Sequence, residues 1–301
     1  RERACMAVTQ ARVQNPQLGI LLLCAGVAMF GMGEACVKVL AKDFDILQVV
    51  WARYTFHALV FLLIFSRTGL RSQMVTKRPL LHLARSAALM CGTVFFFTAL
   101  IYLPLPEAVA INFASPLLVT ALSIPFLGEK VGPRRWAAIF VGFLGVLVII
   151  RPGLGVMHWA AALPLGTAVC YACYQIMTRI AGRTENTRTS LFWTSAVGVI
   201  VMSCIAPFVW TAPDATSWTL MIATGTFFGF GHYLLIRAFE VAPVSTLSPF
   251  LYSQIIWVTL ISVFVFHQTP DRVAMLGAGI VIASGLYIWH RETGDARRKA
   301  V

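Results

Sequence analysis

Ten long apolar blocks follow one another along this 301-residue chain, and only short polar links separate them. A helix needs about 20 apolar residues to cross the hydrocarbon core of a bilayer. Each block is close to that length, and the first has no small-residue cleavage site of a signal peptide. The pattern therefore predicts an all-α integral membrane protein with ten transmembrane helices. The predicted spans lie near residues 17–40, 46–66, 80–102, 105–127, 134–151, 157–180, 190–211, 217–239, 244–266 and 271–290.

The composition agrees with a membrane protein. Hydrophobic residues make up 58% of the chain and charged residues only 12%, whereas a soluble domain usually carries about 25% charged residues. Most of the seven cysteines lie inside apolar blocks, where cysteine behaves as a small apolar residue. Cys170 and Cys173 have the spacing of a redox pair but lie in mid-span without partners, so we predict no redox or metal role for them.

The net charge of +12 indicates topology rather than nucleic-acid binding. The basic residues occupy short links between apolar blocks, and with the N-terminus inside, the outer loops hold only Lys42, Arg151 and Arg272. Cytoplasmic loops of membrane proteins carry the excess of lysine and arginine. We therefore expect both termini in the cytoplasm, a location in the bacterial cytoplasmic (inner) membrane, and the lipid bilayer rather than nucleic acid as a partner.

The chain repeats itself after 139 residues. That shift pairs Ser115 with Gln254 and Gly92 with Gly231. Each half has five spans, an odd number, so the second half must be inverted relative to the first. Inverted repeats are a recurrent architecture of secondary transporters, whose substrate site lies near the bilayer midplane. The predicted divisions are a cytoplasmic tail at 1–16, a first five-helix repeat at 17–151, a second inverted repeat at 152–290 and a basic cytoplasmic tail at 291–301.

Several motifs of the chain are typical of one transporter family. They are Leu103-Pro104 with Glu107-Ala108, the Pro116 block, Leu127-Gly128-Glu129-Lys130, Gly142-Phe-Leu-Gly145, and Arg237-Ala-Phe239 before Ala242-Pro243. The chain resembles a ten-helix member of the drug/metabolite transporter superfamily, in the branch of EamA-type permeases. Glu34 and Lys38 in span one, followed by Gln48 and Arg53, are similar to the bacterial subgroup that moves amino acids and related metabolites.

Two positions depart from the family pattern. The second-half counterpart of Leu-Gly-Glu is Phe266-His267-Gln268, which lacks the acidic residue, and Ile255 stands where a proline is expected. These differences put a symmetric role of the two helix ends in doubt, but not the membership. The resemblance implies a transporter, and the family consists mostly of exporters.

Three ionisable residues within spans are the first candidates for substrate binding, because such residues are costly in a membrane. Glu34 and Lys38 are four residues apart and share a helix face, and Arg53 lies at a similar depth. Glu34 would bind the ammonium group of a zwitterion, and Arg53 or Lys38 its carboxylate. The alternative is that Glu34 pairs with Lys38 or Arg53 and only fixes helix packing.

Uncharged polar and aromatic residues are further candidates for the lining of a cavity. They are Asn112, Ser115, Tyr171, Gln175, His232, Tyr252, Gln254 and Trp257. Hydrogen bonds between helices and ordinary packing are the alternative for each. For the remaining residues we predict that Arg85 snorkels to the inner interface, that Arg237 pairs with Glu240, that Gly92 and Gly231 are bending points, and that Pro116 breaks span four.

The function favoured by the sequence is secondary transport of a small polar metabolite of the amino-acid type, most simply export, by alternating access between the repeats. An uptake carrier or exchanger for a metabolite such as S-adenosylmethionine, riboflavin or a carboxylate is the alternative. The few scattered aspartates do not favour an enzyme, and Glu34 stands too isolated for the proton relay of a pump or channel. We expect no cofactor, a proton as the candidate coupling ion, and a monomer or homodimer.

Overall fold

The computed structural model describes residues 15–65, 75–127, 132–151, 159–182, 184–185, 187–242 and 247–299. Over these ranges the chain forms eleven α-helices. They are α1 Pro16–Leu40, α2 Ile46–Phe65, α3 Pro79–Tyr102, α4 Leu105–Asn112, α5 Ser115–Leu127, α6 Pro133–Ile150, α7 Ala162–Ala181, α8 Thr187–Ile205, α9 Ala215–Val241, α10 Gln254–Phe264 and α11 Arg272–Lys299. Short 3₁₀ helices cover Trp159–Ala161, Ala206–Val209 and Ser248–Ser253. The motif at 128–130 and the N-terminal basic tail lie outside the described residues.

The lengths and apolar surfaces of these helices suit a bilayer. Within the described ranges, seven helical segments are long and apolar enough to cross a membrane, and three shorter apolar helices accompany them. Large side chains on the outer surface are apolar, including Leu63, which is 79% exposed, and Phe208, which is 87% exposed. Such a surface is stable against lipid and not against water. The prediction of ten transmembrane helices in two inverted five-helix repeats is confirmed.

Helix packing follows the two-fold relation between the repeats. The largest helix–helix contacts include α1 with α9 and α3 with α7, which are equivalent pairs in the two halves. The contacts of α2 with α9 and of α8 with α3 are equivalent in the same way. We call α1, α2 and α9 the first bundle and α3, α7 and α8 the second bundle. Each bundle therefore combines helices from both halves of the chain.

Small residues allow the helices within each bundle to approach closely. In the first bundle, Gly26 and Gly231 face each other's backbones, and Gly225 lies against Phe56. In the second, Gly92 accepts a hydrogen bond from Thr167 through its carbonyl. Helices α3 and α9 continue without a break through Gly92 and Gly231, the predicted bending points. Their role is to admit a neighbouring helix.

Spans four and nine are both interrupted at the equivalent place. Span four consists of α4 and α5, separated by a turn at Phe113 and Ala114. Span nine begins as the 3₁₀ helix Ser248–Ser253 and continues as α10. The predicted break near Pro116 thus lies two residues before that proline, and it has a counterpart in span nine, where the sequence lacks the expected proline. Interrupted helices are tolerated in a membrane where they are enclosed by protein or line a cavity.

The helical assembly has two ends, and each is named after a lysine that lies there. The Lys42 face is the end where α1 leads into α2, and the Lys77 face is the end where α3 begins. The charge distribution of the sequence predicts that the Lys42 face is the outer one.

Candidate functional site

A cavity of about 140 Å³ lies where the two bundles meet the interrupted spans. The first bundle lines it with α1, α2 and α9, and the second with α3 and α7. The ends of α4 and α10 complete the wall. The lining residues are Phe30, Glu34, Arg53, Leu89, Gly92, Thr93, Phe96, Phe97, Asn112, Thr167, Tyr171, Phe228, His232 and Gln254.

Glu34 is the acidic group of this cavity. It is 5% exposed and lies six residues before the end of α1, about 9 Å from the Lys42 face. Its Oε1 accepts a hydrogen bond of 2.9 Å from Nε2 of Gln254, the first residue of α10. Its Oε2 is buried and has no hydrogen-bond partner. A buried carboxylate oxygen without a donor is costly, so this atom is suited to bind the ammonium group of a ligand.

Arg53 is the cationic group, and it is held mainly by aromatic rings. It is 5% exposed, and its guanidinium carbon lies 4.6 Å from the ring centroid of Phe228 and 4.8 Å from that of Tyr54. Nη1 donates a hydrogen bond of 3.2 Å to the hydroxyl of Thr93, while Nε has no partner. A guanidinium with open donors is suited to bind a carboxylate.

Aromatic rings form one wall of the cavity. His232 stacks on His57 with 5.1 Å between ring centroids, and the ring of Phe30 lies 4.9 Å from that of His232. Nδ1 of His232 is 2.8 Å from the carbonyl oxygen of Phe228. The ring faces leave an apolar surface between the polar groups, which suits a ligand that has an apolar part beside its charges.

Asn112 adds a neutral polar group at the end of α4. Its Oδ1 is buried without a hydrogen-bond partner. It is the last residue before the interruption of span four, just as Gln254 is the first residue after the interruption of span nine. Both helix interruptions therefore deliver an amide side chain to the cavity.

Six of the eleven predicted site residues meet in this cavity. They are Glu34, Arg53, Asn112, Tyr171, His232 and Gln254.

The other five predicted site residues are placed elsewhere. Ser115 is buried at the start of α5, and Gln175 lies half-buried on α7. Tyr252 packs edge-on against Phe113 with 5.1 Å between ring centroids. Trp257 is 38% exposed on α10. None of these four is among the lining residues.

Lys38 does not reach the cavity either. Its Nζ donates to the carbonyl oxygens of Leu100 and Leu103, at 3.1 and 2.7 Å, at the end of α3. A cation is stabilised at the C-terminus of a helix because the last carbonyls have no helical donor. The ion pairs found among the described residues do not link Glu34 to Lys38 or Arg53. The predicted pairing of Glu34 with a cation is therefore replaced by its bond to Gln254.

The prediction that Arg85 snorkels to the interface is wrong. Arg85 is 1% exposed, and its guanidinium donates to the hydroxyls of Tyr174, Thr178 and Thr194 and to the carbonyl of Ser190. It therefore joins α3 to α7 and α8 inside the second bundle. The predicted pair of Arg237 and Glu240 is present, with 3.7 Å between Nε and Oε2.

Sequence reasoning missed the phenylalanines and threonines of the cavity. Thr93 binds Arg53, and Thr167 lies opposite Gly92. Both residue types are common in membrane helices, where their usual role is packing or bonding to their own helix. The repeat could have indicated them, because Gly92 and Gly231 are equivalent positions of the two halves and lie at the same depth as the cavity.

Polar contacts between the two bundles cluster at the Lys42 face. One is the contact of Lys38 of α1 with the end of α3. In addition, Gln48 exchanges two hydrogen bonds with the backbone of Thr211, at 2.8 and 2.9 Å, in the link between α8 and α9. Trp51 of α2 donates to Ser203 of α8 at 3.1 Å. The bundles are thus tied together on this side of the cavity.

The Lys77 face has an acidic contact within the second bundle. The Glu185 carboxylate accepts hydrogen bonds from the Thr76 hydroxyl at 2.6 Å and the Lys77 amide at 2.9 Å, and lies 3.4 Å from Nε2 of His82. Burial alone would raise the pKa of Glu185, but these hydrogen bonds outweigh it and lower that pKa below its ordinary value. The contact fixes the link before α3 to the link after α7.

No arrangement of metal ligands accompanies the cavity. Within the part of the chain that the structure describes, no group of three or more His, Cys, Asp or Glu side chains is placed to hold a metal ion. The chemistry available at the site is the binding of charged and hydrogen-bonding groups.

Comparison with known proteins identifies relatives over almost the whole chain. The S-adenosylmethionine uptake transporter of Rickettsia prowazekii (strain Madrid E) is 24% identical over 91% of this chain and 93% of its own length. The riboflavin transporter of Vibrio cholerae is 28% identical over 95% of this chain and 97% of its own length. The pseudopaline exporter of Pseudomonas aeruginosa is 24% identical over 92% and 97%.

A solved crystal structure has the same fold. It superposes with a TM-score of 0.61 over 89% of this chain and 94% of its own, at 17% sequence identity. The EamA-like transporter family matches residues 17–151 and 158–289, one segment in each half. The chain therefore belongs to the EamA-like transporter family and is a membrane transporter, not an enzyme.

Proposed function

We propose that the protein is a secondary transporter that exports small polar metabolites of the amino-acid type across the bacterial cytoplasmic membrane by alternating access. One observation carries the proposal. A single cavity holds a carboxylate oxygen without a donor, on Glu34, and a guanidinium with an open donor, on Arg53. A zwitterion satisfies both, because its ammonium group binds the carboxylate and its carboxylate binds the guanidinium.

The contacts of these two residues explain how loading would move the helices. Glu34 holds the start of α10 through Gln254, and Arg53 holds the second bundle through Thr93. A zwitterion bound to the open atoms of Glu34 and Arg53 draws both side chains toward itself and weakens these two hydrogen bonds. Substrate binding then favours a conformation in which α1 is released from α10 and α2 from the second bundle. A ligand shifts a conformational equilibrium only if it binds one conformation more tightly than the other.

A proton is the coupling ion in this proposal. The Glu34 carboxylate faces the cavity, and a proton competes for the same oxygen as the substrate ammonium. Alternate binding of proton and substrate to one carboxylate gives exchange of the two across the membrane. Metabolite export is then driven by proton entry.

Uptake or exchange of a larger metabolite is the second candidate. The names of the relatives from Rickettsia and Vibrio favour it, since they specify S-adenosylmethionine uptake and riboflavin transport. The cavity volume of about 140 Å³ favours a smaller substrate, since pockets for drug-sized ligands measure about 300–1,000 Å³.

Transport by purified protein in proteoliposomes tests the proposal. The substrate panel contains neutral and aromatic amino acids, S-adenosylmethionine, riboflavin and a dicarboxylate. We expect saturable counterflow of an amino acid, and acceleration of its movement by an opposing proton gradient. Counterflow of riboflavin or S-adenosylmethionine without any amino acid would replace the first candidate with the second.

The variant Glu34→Gln tests the role assigned to the carboxylate. It keeps the shape of the side chain and removes the charge, so we expect proton-driven accumulation to be abolished while folding is largely retained. Glu240→Gln is the matched control, because Glu240 lies outside the cavity beside Arg237. Normal transport by folded Glu34→Gln protein with an unchanged pH profile would refute the assignment.

A further inference from the structure

A second cavity, of about 220 Å³, lies at the Lys42 face beyond the central one. We call it the vestibule. Its lining includes Leu103 at the end of α3, Glu107 and Ile111 of α4, and the pair Arg151 and Asp271. Ile111 faces the vestibule, and its neighbour Asn112 faces the central cavity. Helix α4 thus leads from one cavity to the other.

The basic groups around the vestibule are bonded to partners other than Glu107, although Nε of Arg151 has no hydrogen-bond partner. Arg151 ends α6 in a left-handed conformation with φ 51° and forms an ion pair with Asp271. Asp271 also caps α11 by accepting a hydrogen bond of 3.1 Å from the Ala274 amide. Lys38 donates to the carbonyls at the end of α3. Neither cation is directly bonded to Glu107.

Glu107 is therefore an acid without a direct partner. Its half-buried side chain forms no hydrogen bond or ion pair within the ranges that the structure describes. Its position in the first turn of α4 favours a negative charge, but it leaves the carboxylate oxygens open toward the vestibule. An open, partly desolvated carboxylate binds ammonium groups and other small organic cations.

We propose that the vestibule is a second substrate site, in which Glu107 binds the ammonium group of the metabolite at the Lys42 face. This rests on the proposed function, because it assigns the same zwitterionic substrate to both cavities. The carboxylates of Glu34 and Glu107 bind the same ammonium group one after the other during transport. The contact of Lys38 with Leu103 lies between these two binding sites and separates them in this conformation.

Ligand protection of an introduced thiol tests the site without any transport. Ile150 lines the vestibule, so Ile150→Cys, in a chain whose native cysteines are replaced by alanine, reports its occupancy through the rate of alkylation by a maleimide. The probes are 2-phenylethylamine, which carries an ammonium group, and 2-phenylethanol, which does not. We expect protection by the amine only, and its loss in Glu107→Gln. Equal protection by both probes, or protection retained in Glu107→Gln, would overturn the proposal.

Kinetics measured from each side then test its role in transport. In membrane vesicles of both orientations, Glu107→Gln is expected to raise KM at the Lys42 face about ten-fold, with KM at the Lys77 face unchanged. The control Asp43→Asn removes an exposed acid on the same face, outside the vestibule, and is expected to change neither value. An equal rise on both faces, or the same rise in Asp43→Asn, would refute a vestibule site.

Two further measurements separate a wrong vestibule site from a misfolded variant and from a wrong proposed function. If Glu107→Gln does not fold, Glu107→Asp retains the charge at a shorter reach and is expected to weaken protection by the amine without abolishing it; unaltered protection would count against the site. A wild-type protein that transports no member of the substrate panel refutes the proposed function, whereas the alkylation assay still decides whether the vestibule binds an ammonium group.

Discussion

Two buried arginines differ in how completely they are hydrogen-bonded, although each lies within one bundle of three helices. Arg85 is bonded to side chains and backbone of two neighbouring helices. Arg53 has one hydroxyl partner and otherwise lies against ring faces. Nε is unbonded in both residues, but both terminal nitrogens of Arg85 donate, whereas Arg53 donates through Nη1 alone among the described residues. A guanidinium bonded through both terminal nitrogens fixes helices in place, and one bonded through a single nitrogen is available to a ligand.

The substitution Arg85→Lys is predicted to destabilise the fold rather than to alter substrate binding. An ammonium group keeps the charge but cannot bond to α7 and α8 together, and we expect a loss of about 2 kcal/mol in the free energy of unfolding. Thermal unfolding in detergent measures it. Arg272→Lys, at an exposed position of α11, is the control. A normal unfolding temperature with a raised KM would instead make Arg85 a substrate ligand.

The sequence predicted part of the site because charge within a span is informative. Glu34 and Arg53 were identified because a lone acid and a basic residue at the same depth need a partner in a membrane. The same argument failed for Lys38, and the snorkelling predicted for Arg85 was wrong, since charge within a span does not tell whether its partner is a ligand, a helix end or a neighbouring helix. Only the packing of α3 against α1, α7 and α8 decides this.

At the scale of the helices, the interruptions of spans four and nine shape the site. Each stops a helix in mid-membrane and delivers an amide, on Asn112 and Gln254, to the cavity. A proline signalled the break in span four. In span nine Ile255 gave no such signal, and the break there results from the change of a 3₁₀ turn to α10.

The contact of Lys38 with the end of α3 is predicted to hold the Lys42 face closed. Lys38→Met keeps the length of the side chain and removes both hydrogen bonds, so we expect the closed state to lose about 1–2 kcal/mol, a factor of roughly 5–30 in population. Spin labels at Lys42 and Tyr102, which flank this contact, measure the change as a larger fraction of long distances.

Substrate affinity separates this gating role from a binding role. Lys38→Met is expected to leave the binding of substrate to detergent-solubilised protein unchanged within about two-fold, because Lys38 does not line the central cavity. Arg53→Met, which removes a lining cation, is the comparison and is expected to weaken binding. Equal losses in the two variants would place Lys38 among the ligands of the cavity.

At the scale of the whole molecule, the number of spans and the repeat were predictable because the bilayer imposes both length and apolar character on every helix. The arrangement of the helices was less accessible. The combination of α1 and α2 with α9, rather than with α3, depends on close contacts such as Gly26 with Gly231. Alignment of the halves shows that these positions are equivalent, but not which helix each one meets.

The inverted arrangement predicts the sides on which loops and termini lie. Reporter fusions at residue 215, at the start of α9, are expected to be outside, and fusions at the C-terminus inside. A fusion at Glu185, in the link between α7 and α8, is the internal reference and is expected inside. A C-terminus found outside would require an odd number of spans and would contradict two halves of five.

The contact between Phe113 and Tyr252 shows that two halves joined in one chain can change independently. Phe113 and Tyr252 are 139 residues apart, so each is the counterpart of the other, and their rings touch. In a dimer of identical halves, a residue beside the symmetry axis meets its own copy, and every substitution changes both sides of the contact at once. A single chain removes that constraint. The hydroxyl of Tyr252 lies against Gly285, where no side chain would fit. The same shift of 139 gives Val146 in the first half, and the counterpart of Tyr252 there, Phe113, has no hydroxyl.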